Sequence, residues 1–225
     1  MKNYHKQTLA VMIIGFYIAL YLHDTNLYPH LNELNTAILA FLRFILIAIP
    51  ITLGFLIVRF KNTKSFKILF LILWLLLLPY TIYSVTEIRH ISELCRLPES
   101  NVYYTEICII KLWTLFPTFL YAALGSLGFV FSVSQVISNL LSMSWKKQLV
   151  IIILCLYGGF SSVFGIYSRV NVWEIFSNPT SVVKNLIGVI SQTSFLTNFL
   201  IFSLFTIFYF FIVNRIFRQV NKHIR

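Results

Sequence analysis

Acid is what this sequence mostly lacks: seven Asp and Glu stand against eighteen Lys and Arg in 225 residues. Charged residues of both signs reach only 11%, whereas a soluble domain carries about 25%. So little charge excludes an ordinary water-facing globular domain. Glycine (8) and proline (6) are too scarce for low-complexity or collagen-like segments. The three cysteines, Cys95, Cys108 and Cys155, form no C-x-x-C pair, which removes zinc-ribbon and thioredoxin-type sites. Cys95 and Cys108 read either as a bridge, should their loop face an oxidising compartment, or as two ordinary thiols. No segment alternates in the manner of a barrel strand, and no internal repeat is visible.

What is abundant is apolar: 58% hydrophobic residues and a mean hydropathy of +0.82. A spanning helix needs roughly 20 apolar residues. The runs predict about six spans, near 8–22, 36–58, 67–86, 112–134, 148–168 and 193–213. The first has no A-x-A site after it, so it is expected to be a retained helix and not a signal peptide. The stretch 107–141 is too long for one simple crossing, and its remainder is expected to continue as an interfacial helix. Backbone polar groups in lipid must be satisfied within each segment. The expected fold class is therefore all-α, a polytopic transmembrane helical bundle forming one membrane domain over 1–225.

Charge orients the bundle. With both termini cytoplasmic, the inner segments hold Lys2, Lys6, Arg59, Lys61, Lys64, Lys67, Lys146, Lys147, Arg215, Arg218, Lys222 and Arg225. The outer segments hold only Arg89, Arg96, Lys111, Arg169 and Lys184. This is the positive-inside pattern of a cell-membrane protein, and it accounts for the net charge of +11 without a nucleic-acid partner. The inner basic rim suits anionic lipid headgroups. All seven acids, Asp24, Glu33, Glu87, Glu93, Glu99, Glu106 and Glu174, fall on the outer side of the same topology.

Three places carry polar chemistry. In LLPYTIYSVTEIRH (77–90), Pro79 removes a backbone donor and predicts a kink, and the following Tyr80, Thr81, Tyr83, Ser84 and Thr86 make a face too polar for lipid. Glu87 and His90, one turn apart, are the acid–base candidates. Their i, i+3 spacing also occurs in di-iron bundles, but one such motif does not make a metal site, and neither metal nor cofactor is expected. Arg43 lies inside an apolar run and must either snorkel to the headgroups or pair with an outer carboxylate, Glu87 or Glu174. Pro50, further along, points to a second kink. In GIYSRVNVWEIFSNP (165–179), Arg169, Asn171, Trp173 and Glu174 place both charges beside an indole. The following SVVKNLIGVI reads as an amphipathic helix on the membrane or as a re-entrant segment.

Arg43, Pro79-Tyr80 with Thr86-Glu87 and His90, and Gly165-Ile166-Tyr167 with Arg169, Asn171 and Trp173-Glu174 resemble a family of bacterial multi-pass membrane proteins, catalogued as domain of unknown function thirteen sixty-one. The likeness covers roughly 43–179. It departs from the family where an asparagine is expected before the proline, where both acids are Glu in place of Asp, and where arginines are fewer. The resemblance implies a membrane fold and this choice of residues, and it implies no reaction.

Three functions fit these residues. One is an outward pocket in which Arg43, Tyr80, Arg169, Asn171, Trp173 and Glu174 bind a lipid-linked or anionic envelope substrate, with Glu87 and His90 as its acid–base pair. Another is an accessory subunit in which the same residues form an interhelical clasp. The third is a small-solute transporter, which would work without an acid at mid-membrane. Whether the chain is an enzyme, and which proteins it meets, the residues leave open.

Overall fold

The structure, a computed structural model, describes the backbone of residues 33–90, 104–168 and 177–223, with side chains over 44–86, 118–168 and 177–217 and at Ile88 and Gln219. The first expected span, 8–22, lies outside the described residues, as do Cys95 and its loop.

Among the described residues every regular element is helical. In chain order these are α1 (Glu33–Arg59), α2 (Lys64–Leu77), α3 (Pro79–Tyr83), a 3-10 segment (Ser84–His90), α4 (Tyr104–Leu140), α5 (Ser144–Ser168), α6 (Pro179–Ile190) and α7 (Thr193–His223). Four stretches are long and apolar enough to cross a membrane: Lys64–Thr86, Thr118–Leu140, Ser144–Ser168 and Thr193–Phe217. Pro179–Ile190 is a shorter apolar stretch, and Phe44–Arg59, the part of the 27-residue α1 whose side chains are described, is apolar too. The 37-residue α4 extends about 55 Å, well beyond a hydrocarbon core of about 30 Å. Its described apolar window, Thr118–Leu140, overlaps the span expected near 112–134.

We call the end where α1 begins and α5 stops the upper end, and the end where α4 turns into α5 the lower end. The helix α4 is the hub, packed against α1, α3, the 3-10 segment and α7. Within its window 61% of residues are buried, against 17% for α7, which lies at the periphery with Leu200, Ile201, Leu204, Phe208 and Ile212 exposed. A helix that is apolar on its outward face as well as its inward one belongs in lipid. The core is built from Leu53 and Ile57 of α1, Trp74, Leu78 and Ile82 along α2–α3, Phe129, Val130 and Val133 of α4, and Phe210 of α7. Trp74, Leu78 and Ile82 are spaced four apart, so the buried stripe continues straight through the proline.

Glycines let these helices come close. A Cβ on Gly125 of α4 would run into Ser84 Oγ and the Thr81 carbonyl oxygen, with Ser84 Cβ at 2.7 Å. One on Gly159 of α5 would lie 2.9 Å from the Cα of Ser203 on α7. Association in lipid relies on such backbone approach because burial of apolar surface brings no gain there.

Candidate functional site

Pro79 has no N–H, so the carbonyl of Leu75, four residues earlier, loses its intrahelical donor. The hydroxyl of Tyr157, on α5, takes that place and donates to Leu75 O at 3.0 Å. Past the proline the chain tightens. Thr81 Oγ1 donates to Leu78 O at 2.6 Å, Ser84 Oγ to Thr81 O at 2.7 Å, and Thr86 Oγ1 to Tyr83 O at 2.7 Å. Each of these bonds reaches back three residues, and hydroxyls bonded in this way compete with the four-residue ladder and favour 3-10 geometry. The 3-10 segment starts at Ser84, within this run. Satisfied by their own backbone, Thr81, Ser84 and Thr86 are buried against the bundle. The polar face after Pro79 therefore turns inward.

Pro50 behaves differently. The helix α1 continues through it unbroken to Arg59. Its carbonyl accepts from Ser132 Oγ at 3.0 Å, and that oxygen in turn accepts from Trp74 Nε1 at 2.7 Å. One buried serine thus joins α1, α2 and α4. Ser126 and Tyr209 share a hydrogen bond at 2.8 Å between α4 and α7.

These contacts fix the upper end. Tyr83, at the end of α3, packs on Gly165 near the end of α5, where an added Cβ would stand 2.9 Å from the ring. The sequences that run on from these two residues are the ones carrying Glu87 and His90, and Arg169 to Glu174. Glu87 and His90 belong to the 3-10 segment, which packs against α4. Arg43 belongs to α1 one turn above Ile47, whose side chain reaches Gly128, close below Gly125 on α4. The side chains of Arg43, Glu87 and His90, and all of Arg169, Asn171, Trp173 and Glu174, lie outside the described residues. Tyr80 is half-buried on α3.

Beside this end, Tyr167 on α5 accepts from Asn198 Nδ2 at 2.7 Å and donates to Ser194 Oγ at 3.0 Å, docking the start of α7. Phe160, Phe195 and Phe199 complete the contact, with Phe160 edge-on to the other two at 5.7 and 6.0 Å between centroids. Asn178 caps α6 by accepting from Ser181 N at 3.3 Å. The helix α6 puts Val189 into the bundle and leaves Val183, Ile187 and Ile190 exposed, with Thr180, Lys184 and Asn185 on the other side. Twelve residues make about 18 Å, too short to cross, and this two-sided helix has the character of one lying in an interface. Among the described residues no group of three or more His, Cys, Asp or Glu side chains comes together to hold a metal.

A helical bundle with several apolar stretches of membrane-crossing length, tied internally by hydroxyl and indole hydrogen bonds, defines a membrane protein of transmembrane helices. The family model described as "Protein of unknown function (DUF1361)" matches residues 42–213, and the chain belongs to that family. No curated protein and no solved structure matches it.

Proposed function

We propose that this chain is a bacterial multi-pass protein of the cell membrane, with both termini cytoplasmic, whose upper end faces outward and binds a lipid-linked or anionic envelope substrate. The observation that carries the reading is the seating of Tyr83 on Gly165. Tyr83 and Gly165 are the residues from which the two charged segments run on in sequence, and this reading takes those segments to stay together above that contact. In this reading Arg43 and Arg169 hold the anionic group, by paired N–H donors where its geometry allows. Tyr80 and Asn171 supply neutral hydrogen bonds, Trp173 stacks against a sugar or seats a headgroup, and Glu174 orients Arg169. If the substrate is processed as well as held, Glu87 and His90 transfer the proton.

The test is native mass spectrometry of the protein extracted from its own membranes. A bound anionic species is expected on the wild type and is expected to be lost in Arg43→Gln and Arg169→Gln, while the melting temperature stays within about 2 °C. Full retention by both variants would contradict the proposal.

A second reading has the same site residues form an interhelical clasp, in a bundle whose helices are elsewhere joined by hydrogen bonds at Trp74–Ser132–Pro50, Ser126–Tyr209 and Tyr157–Leu75. On that reading the same variants melt many degrees lower and carry no bound species in either form.

A further inference from the structure

At the lower end, remote from the proposed outward site, a cavity of about 530 Å³ lies between α4, α5 and α7. That volume is within the roughly 300–1,000 Å³ of small-ligand sites. Among the described residues its charged lining is Lys147 and Arg215, with no carboxylate. Among the described residues Lys147 Nζ bonds only the Ser138 carbonyl, at a long 3.5 Å. Arg215 is exposed and has no hydrogen-bond or ion-pair partner among the described residues. The neutral lining is donor-rich. Ser134 Oγ donates to Asn214 Oδ1 at 3.4 Å, which leaves the Asn214 amide N–H groups unused, and Ser144 and Gln148 are exposed beside the mouth. Beneath this rim the cavity meets Ile137 and Ile151, both buried, and Phe211.

A second observation concerns the helix that forms one wall. Ser144 opens α5, and its first turn holds Lys146 and Lys147 and no acid. The start of a helix already carries about half a positive charge and favours anions, so lysines there are electrostatically misplaced. A bound anion would resolve the conflict: the Lys147 N–H already donates to Met143 O at 3.1 Å, and the N–H groups of the residues before it at this end are placed to donate to phosphate. Departures from a local rule of this kind are expected at functional positions.

We infer that this cavity binds a phosphate group carried on an apolar stem, with Lys147, Arg215 and the first turn of α5 as its cationic and N–H donors. The apolar floor beneath a cationic rim at the end of three membrane-length helices favours the phosphate of an anionic phospholipid. A soluble phosphate compound would use the same donors.

The experiment compares thermal unfolding in nanodiscs of phosphatidylcholine alone, of phosphatidylcholine with phosphatidylglycerol, and of phosphatidylcholine with added inorganic phosphate. Wild type is expected to melt several degrees higher with phosphatidylglycerol, and occupancy read by native mass spectrometry is expected to fall about tenfold for each cation removed. The pair Lys147→Gln and Arg215→Gln together should lose most of the increment. Ser144→Asp should lose it too, while melting no lower in phosphatidylcholine, because an acid at a helix start stabilises the helix. Inorganic phosphate that reproduces the full increment would keep the site and assign it to a soluble ligand. The control pair Lys61→Gln and Lys64→Gln removes the same charge from the other lower turn. If the control loses as much as the cavity pair, or if the cavity pair and Ser144→Asp keep the increment, the inference is overturned.

Discussion

Removing the Tyr157 hydroxyl tests whether α5 repairs the break at Pro79. The bond to Leu75 O is 3.0 Å long, and Leu75 is 37% exposed on the outer surface of a membrane-length helix, where lipid offers no replacement donor. Leaving such a carbonyl unpaired costs about 1–3 kcal/mol in a protein interior, while hydrogen bonds between membrane helices average about 0.6 and reach about 1.7. Tyr157→Phe is therefore expected to destabilise the bundle by about 1–1.5 kcal/mol, toward the upper part of the membrane range. The decisive comparison uses a second background. In Pro79→Ala the restored N–H is free to bond Leu75 O within the helix, so the tyrosine hydroxyl becomes redundant there. Tyr157→Phe should then cost little, and the cycle should show a coupling of about 1 kcal/mol. Reversible unfolding in mixed micelles, titrated with dodecyl sulfate and followed by circular dichroism, measures all four proteins. If the tyrosine costs the same in both backgrounds, to within about 0.3 kcal/mol, the proposed repair is refuted.

Other outcomes follow from the same geometry. Gly125→Ala drives a methyl into Ser84 and the Thr81 backbone and should cost about 1–3 kcal/mol or more, whereas Gly188→Ala meets nothing within 4 Å and should stabilise α6 by up to about 1 kcal/mol. The same micelle titration reads both. Ser132→Ala leaves Trp74 Nε1 without its acceptor and should destabilise more than Trp74→Phe, which removes the donor itself, provided the smaller ring fills the site. Tryptophan fluorescence during unfolding distinguishes the serine variant from wild type.

Much of the architecture was legible in single stretches of sequence. Apolar runs of membrane length announced the helices, and Pro79 announced the break, because a missing N–H acts within one turn. That Thr81, Ser84 and Thr86 would turn away from lipid, inward or toward water, followed from their polarity, and their burial shows that they turn inward. The packing was not legible. In a soluble protein a polar stripe marks the outer face of a helix, but the exposed faces of α2 and α7 are apolar, so no such stripe marks the side turned away from the bundle. The partner of the orphaned Leu75 carbonyl lies 82 residues away. The glycines that mark close approach, Gly125 and Gly159, look like any others until the opposing Ser84 and Ser203 are known. At Pro50 the helix runs on through the proline, with its carbonyl tied to Ser132, whereas at Pro79 the element ends and restarts. The cavity between Lys147 and Arg215 escaped the sequence for a related reason: its residues sit on three helices and separately read as a solvated basic rim.

The gathering of the charged segments at the upper end is tested most directly by cross-linking. With the native cysteines replaced by serine, Glu87→Cys and Arg169→Cys should be joined within one molecule by a short bifunctional thiol reagent, because Tyr83 and Gly165 start their segments in contact. Glu87→Cys with Arg215→Cys, which spans the two ends of the bundle, should not be joined. Absence of a cross-link in the first pair, or equal yields in both, would contradict the account.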